Sequence, residues 1–169
     1  EKAGMVSASY FFVGTEAAVQ GIRPTHSYLF DEKVPAAARV EQVVDWLELP
    51  GEERPHLITL YFEHVDHASH RYGPDAPETI AVIEKVDSHI GDLMDDIAQT
   101  AIRDEVYVIV VSDHGQARYV APDDGYVLSE HVDIGDAGVV EGGNYVMLYY
   151  DTPDATHIAQ MVATINRTW

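Results

Sequence analysis

Residues 106–115 read Val-Tyr-Val-Ile-Val-Val-Ser-Asp-His-Gly. Six apolar or aromatic residues in a row, four of them valine, are the composition of a strand buried on both faces, and the run passes straight into a polar Ser-Asp-His-Gly turn. A second segment repeats the arrangement. His56 to Phe62 (HLITLYF) is a short apolar strand, followed by the loop EHVDHASHRYGPDA. Between and around these runs the periodicity is helical. Val40, Val43, Val44 and Leu47 recur at helical spacing after Pro35, and Pro50-Gly51 ends that helix. Pro77 suits a first helical turn, and Ile83, Val86, Ile90, Leu93, Met94 and Ile97 form one apolar stripe behind it. The first thirty residues, with Gly14, Gly21 and Pro24, read as loop-rich. Residues 123–143 read as a long loop with room for an edge hairpin, Tyr145 to Tyr150 as a strand and Ala155 to Ile165 as a helix. Alternation of this kind predicts an α/β fold, a mostly parallel sheet flanked by helices, with ligands bound beyond the carboxyl ends of the strands.

The composition narrows the function. The 169 residues suit one domain, and 46% hydrophobic residues are enough to fill a core. Charges interrupt every apolar run well before the roughly 18 residues of a membrane span, and no basic leader followed by an apolar stretch opens the chain. Lys plus Arg number 10 against 29 Asp plus Glu, a formal charge of −19. Such a surface repels nucleic-acid phosphates and anionic lipid, so no role as a nucleic-acid scaffold is expected. An anionic small molecule would need a local cation, most simply a metal ion, to approach. There is no cysteine, which excludes thiolate catalysis, disulfides and Cys-ligated zinc. Nine His and many Asp leave a nitrogen and oxygen donor set.

Two clusters offer those donors at the predicted strand ends. In HVDHASH, Asp66 and His70 are four residues apart and share a face if the segment takes a helical turn. Asp113 and His114 end the apolar run. Two carboxylates and two imidazoles make a plausible half of a two-metal site, which can clamp the attacking and leaving oxygens of a phosphoryl group. Zinc accepts this set, and manganese or iron also fit. The plainer readings are a helix cap and a surface histidine for Asp66 and His70, and a cap for Asp113. His64 and His67 read as exposed loop residues.

The chain resembles the nucleotide pyrophosphatase/phosphodiesterase family (type I phosphodiesterases) of the alkaline phosphatase superfamily. The segments YFFVGTEAAVQGIRPTH, VPAAARVEQVVDWLELPGEERPHLITLYFEHVDHASHRYGP, IEKVDSHIGDLMDDI and VIVVSDHGQ carry the resemblance, and VDHASHRYGP together with VVSDHG is its most specific part. The resemblance implies an alkaline-phosphatase-like core and two divalent metal ions, zinc first. Asp66 and His70 would ligate one ion, and Asp113 and His114 the other. Phe30 matches the position at which family members stack a ring on a nucleobase. Tyr61 sits near the first metal loop and could line the pocket, although a strand aromatic is more often core.

The resemblance also implies what the chain lacks. Family members use a Thr or Ser nucleophile preceded by a ligating Asp, upstream of any segment matched here, and Ser7, Ser9 and Thr15 lie in a different motif. A further His ligand lies well downstream, and His131 comes too early for it. Residues 1–169 are therefore expected to be an internal fragment of a single catalytic domain, partnered by the rest of that domain. Lesser departures are Phe12-Val13-Gly14 where Trp-Pro-Gly is usual, Ser69 where Gly is common, and Gln116 where Met usually follows the Asp-His-Gly. The implied activity is zinc-dependent hydrolysis of a small-molecule nucleotide phosphodiester or pyrophosphate through a covalent phospho-enzyme, outside the cytoplasm (periplasmic or secreted). Alternatives are a phosphomonoesterase or phosphonate hydrolase of the same superfamily, a non-catalytic metal-binding domain, and a purely structural α/β domain. With no nucleophile of its own, the isolated 169-residue chain is expected to show negligible turnover of a chromogenic diester. Robust metal-dependent hydrolysis by it would refute the fragment reading.

Overall fold

The computed structural model describes residues 4–118, 127–142 and 145–168. The chain forms two compact units, Glu1–Arg118 and Tyr119–Trp169. The first holds a parallel sheet of β1 (Ser7–Tyr10), β2 (His26–Tyr28) and β3 (Leu57–Leu60) in the order β2-β1-β3. Its helices are α1 (Ala36–Glu48), α2 (His64–Tyr72) and α3 (Pro77–Gln99). This is the parallel, helix-flanked arrangement the alternation predicts. Ala8 pairs with His26 on one side and Ile58 on the other, and Tyr10 with Tyr28 and Leu60.

The central strand corrects the sequence reading. Ser-Ala-Ser-Tyr carries little apolar signal and lies in the segment expected to be loop, yet Ala8, Ser9 and Tyr10 are all buried because strands flank them on both sides. Ser9 Oγ lies 2.8 Å from Thr15 Oγ1 and accepts from Thr59 Oγ1 at 3.0 Å, so these hydroxyls knit β1 to β3 and to the following loop. Tyr10 stacks on its register partner Tyr28 at 4.7 Å, and Trp46 of α1 lies 6.0 Å from both rings. Val40, Val43, Trp46 and Leu47 of α1 meet Leu93 and Ile97 of α3 in one core with Ala8, Tyr10 and Phe11. Ile83 and Met94, expected on the inward stripe of α3, are exposed.

The predicted strand 106–111 also departs from expectation. It has no ladder partner among the described residues, and from Tyr107 to Val111 its side chains face solvent, Tyr107 at 92% and Ile109 at 83% exposure. The apolar composition specifies the environment such a run suits, and pairing depends on a neighbouring strand that the run does not encode. Val106 is extended and packs on the core, and Asp113 and His114 follow without a strand beneath them.

Arg39 is the second correction. The helical pattern places it among the polar residues of α1, but it is fully buried. Its guanidinium forms a bidentate pair with Glu63, Nη1 to Oε2 at 2.6 Å and Nη2 to Oε1 at 2.9 Å. It also donates to the Tyr61 carbonyl at 3.0 Å and twice to the Val34 carbonyl, and it lies 4.9 Å from the Phe11 ring centroid. One side chain thereby joins the start of α1, the ends of β1 and β3 and the residue that opens α2. Three carbonyl and carboxylate partners satisfy the planar fork, as a buried guanidinium requires.

In the second unit, β4 (Gly138–Glu141) and β5 (Val146–Tyr149) form an antiparallel hairpin, with the short helix α4 (Leu128–His131) before it and α5 (Ala155–Thr168) after it. Strand β5 and helix α5 match the sequence expectation, whereas the stretch expected to be a long loop with its own edge hairpin holds α4 and a single strand, β4, that pairs with β5. Among the described residues no helix is long and apolar enough to cross a membrane.

Arg39→Met leaves Glu63 buried without a counter-charge and strips donors from two carbonyls. Urea unfolding at neutral pH is expected to show a loss of about 3–5 kcal/mol, the cost of breaking a buried pair on one side. A loss below about 1 kcal/mol would show that the pair is not an anchor.

Candidate functional site

The segment expected to be a loop after β3 is the helix α2. Glu63, held by Arg39, is its first flanking residue, and the His67 amide donates to the Glu63 carbonyl at 3.0 Å. The helix stops at Gly73, whose φ of 95° and ψ of 154° suit glycine alone, and Thr79 Oγ1 of α3 donates to the Gly73 carbonyl at 2.7 Å. With both ends fixed, Asp66 and His70 lie one turn apart on one face, with His70 Nε2 3.4 Å from Asp66 Oδ1. Asp66 also stands in the first turn, where the helix dipole favours a carboxylate.

The turn after residue 111 meets this face. His114 Nε2 lies 3.9 Å from the same Asp66 Oδ1 and 3.6 Å from Asp113 Oδ2. The His114 amide donates to Asp113 Oδ1 at 3.1 Å, and Ser112 Oγ donates to the His114 carbonyl. His114 Nδ1 is 3.1 Å from the Gly115 carbonyl oxygen, a contact that needs the proton on Nδ1. The other ring nitrogen, Nε2, faces the two carboxylates. Gln116 Nε2 donates to Asp66 Oδ1 at 2.6 Å and ties the turn to α2.

The structure therefore brings Asp66, His70, Asp113 and His114 together in pairs at 3.4–3.9 Å. Among the described residues no group of three or more His, Asp or Glu is disposed to hold a metal ion as it stands. The donors fit an ion in kind, as two carboxylates and two imidazoles, and in pairs rather than as a closed cage. Phe30 is 44% exposed and rests edge-on against Phe11, ring centroids 5.5 Å apart. Three successive contacts, through Phe11 and Arg39 to Glu63, connect it to the start of α2. Tyr61 packs partly on the core while its phenol stands in the field of the site. Burial raises its pKa first, and the charges of Asp113, Asp66 and Glu63 raise it further.

Sequence reasoning missed Arg39, Glu63 and the environment of His64. Nothing in the helical pattern separates a buried charge from an exposed one. An Arg one helical turn before Val43, with a Glu three residues after β3, is the signal that could have found the pair. His67 is exposed as expected, but His64 is only a third exposed, and its Nδ1 and that of His89 are buried without a hydrogen-bond partner.

The family model described as type I phosphodiesterase / nucleotide pyrophosphatase matches residues 1–167. The chain is 37% identical over 112 residues to human ectonucleotide pyrophosphatase/phosphodiesterase family member 1, covering 66% of this chain and 12% of that protein. It is 32% identical over 148 residues to the mouse counterpart, 88% of this chain and 16% of that protein. A venom phosphodiesterase of Macrovipera lebetinus is 37% identical over 112 residues, 66% of this chain and 13% of that enzyme. The chain thus spans well under a quarter of the length of these curated relatives. Among solved structures, an inactive variant of murine ectonucleotide pyrophosphatase / phosphodiesterase 5 in complex with AMP superposes with a TM-score of 0.81 at 22% identity, covering 99% of this chain and 43% of that one. That likeness establishes the fold.

Burial lowers the His64 pKa, the nearby Glu63 charge opposes this, and Arg39, His89 and Lys85 lower it further. A histidine depressed in the folded state is protonated first in the unfolded chain. Its contribution to stability is complete above an unfolded value near 6.5 and is lost as pH falls toward the folded one. Thermal melting is expected to fall between about pH 7 and pH 5, and His64→Gln should flatten that slope. An unchanged slope in the variant would assign the acid sensitivity to other groups.

Proposed function

The chain belongs to the type I phosphodiesterase / nucleotide pyrophosphatase family, and on that premise we propose that the protein containing it hydrolyses nucleotide phosphodiester or pyrophosphate bonds with two divalent ions, zinc first. Asp66 and His70 would hold one ion, and Asp113 and His114 the other. The observation that carries this reading is the convergence on Asp66 Oδ1 of imidazoles from two separate segments, His70 at 3.4 Å and His114 at 3.9 Å. Carboxylate oxygens and an imidazole lone pair gathered at one point repel one another unless a cation or proton lies among them.

The chain's residues have separable roles in this reaction. Asp66 and Asp113 supply the negative charge that retains the cations. The Gly115 carbonyl keeps the His114 proton on Nδ1, so that Nε2 is free as a donor. Phe30, supported at its edge by Phe11, offers a face to the base. When bound, the ions supply charge against the phosphoryl oxygens and lower the pKa of an attacking hydroxyl or water. They also answer the charge problem set by a chain of net −19 that must admit an anion. Attack of a Thr or Ser hydroxyl on the phosphorus would break its bond to the leaving oxygen, expel an alcohol or a phosphate and give a covalent phospho-enzyme, whose Thr or Ser ester water then hydrolyses to free the remaining phosphoryl product. AMP in the murine relative supports a nucleotide substrate, and relatives named as ecto and venom enzymes support a site of action outside the cytoplasm.

Two measurements test the proposal. Hydrolysis of a chromogenic thymidine 5′-phosphodiester by the full-length protein should fall by about two orders of magnitude or more on chelation, on Asp66→Ala and on Asp113→Ala. It should exceed hydrolysis of the matching monoester. Activity that survives chelation and both substitutions would exclude this site, and a monoester preference would favour phosphatase chemistry. Phe30→Ala should raise KM about five- to a hundredfold with kcat nearly unchanged, since stacking contributes roughly 1–3 kcal/mol of binding. An unchanged KM would remove Phe30 from the substrate site.

A further inference from the structure

We propose that Gln116 is a positioning residue that sets the Asp66 carboxylate for cation binding and locks the two halves of the site in register. The inference rests on the metal reading of Asp66, His70, Asp113 and His114 and deepens it.

The contact from Gln116 Nε2 to Asp66 Oδ1, at 2.6 Å, is shorter than either imidazole approach to that oxygen. The chemistry of the pair fixes the amide's orientation, since a carbonyl oxygen at that distance would repel the carboxylate. Helix α2 fixes the Asp66 backbone but leaves the carboxylate plane free, because the terminal torsion of an aspartate is broad. Asp66 is one-third exposed, so packing does not hold that plane either. The Gln116 amide does, and a carboxylate offers about four lone-pair positions, so one amide donor leaves room for a cation.

The donor's origin matters as much as its bond. Gln116 belongs to the turn that carries Asp113 and His114, and Asp66 and His70 belong to α2. The residues before this turn, 107–111, lack a ladder partner among those described, so no paired strand fixes its height above α2. The hydrogen bond from Gln116 is a direct tie between the two donor pairs. Hydrogen-bond partners that orient metal-binding carboxylates typically account for about 10- to 100-fold in metal affinity.

The test is a double-mutant cycle in zinc affinity, measured on the full-length protein by competition with a chromophoric chelator. Gln116→Ala is expected to weaken zinc binding about 10- to 100-fold. Gln116→Met, similar in length but without a donor, should behave the same way. In an Asp66→Ala background the Gln116→Ala change should cost less than about twofold, because the carboxylate it acts on is gone. Melting of the metal-free Gln116 variants should match the wild type, since the side chain is exposed. Unchanged affinity in Gln116→Ala, wild-type affinity in Gln116→Met, or an equal loss in both backgrounds would each overturn the proposal while leaving the metal reading intact. A wild-type protein that binds no zinc would overturn both.

Discussion

The Arg39–Glu63 pair is the constraint on which the rest of the first unit depends. A fully buried guanidinium is tolerable only when its donors are met by acceptors held in fixed positions, and here those acceptors come from three different places in the chain. The Val34 carbonyl lies just before α1, the Tyr61 carbonyl just after β3, and the Glu63 carboxylate at the start of α2. Burial pushes the Glu63 pKa up, but hydrogen bonds and charge from Arg39, with a bond from its own backbone amide, hold it below the ordinary carboxylate range. That direction favours the charged carboxylate and with it the ion pair. The direction of α2, and with it the face that presents Asp66 and His70, follows from an interaction that belongs to the core rather than to the site.

The same guanidinium connects the proposed base platform to the polar cluster. Phe11 sits under Arg39 and holds a left-handed backbone conformation, φ 62°, at the end of the central strand. Such a conformation is costly for a bulky aromatic and persists only where surrounding contacts enforce it. Those contacts are Tyr10, Arg39 and Phe30. The turn at Phe11 ends β1 and directs the chain away beyond the strand's carboxyl end, the place where a parallel sheet leaves room for a ligand.

Sequence patterns exposed some of this and hid the rest for physical reasons. Helices α1 and α3 and strand β3 were legible because each carries several apolar residues at its own period. Strand β1 was not, because a four-residue central strand can be buried by its neighbours without being apolar itself. Helix α2 read as a loop because His, Asp, Ser and Arg dominate it, and its buried residues are only Ala68 and Ser69, too few to show as an apolar stripe. The run 106–111 showed the reverse: strong strand composition without a ladder among the described residues. Asp66, His70, Asp113 and His114 could be singled out by residue type and spacing. The approach of His70 and His114 to one Asp66 oxygen could not, since it depends on Arg39, Gly73 and Gln116, none of which marks itself as structural in a single sequence.

The most direct test of the account is an anomalous diffraction experiment at the zinc edge on crystals of the full-length protein grown with zinc. The account predicts two adjacent peaks, one against Asp66 and His70 and the other against Asp113 and His114. No peak at these residues, or zinc bound only at surface carboxylates such as Asp92, Asp95 and Asp96 on α3, would contradict it.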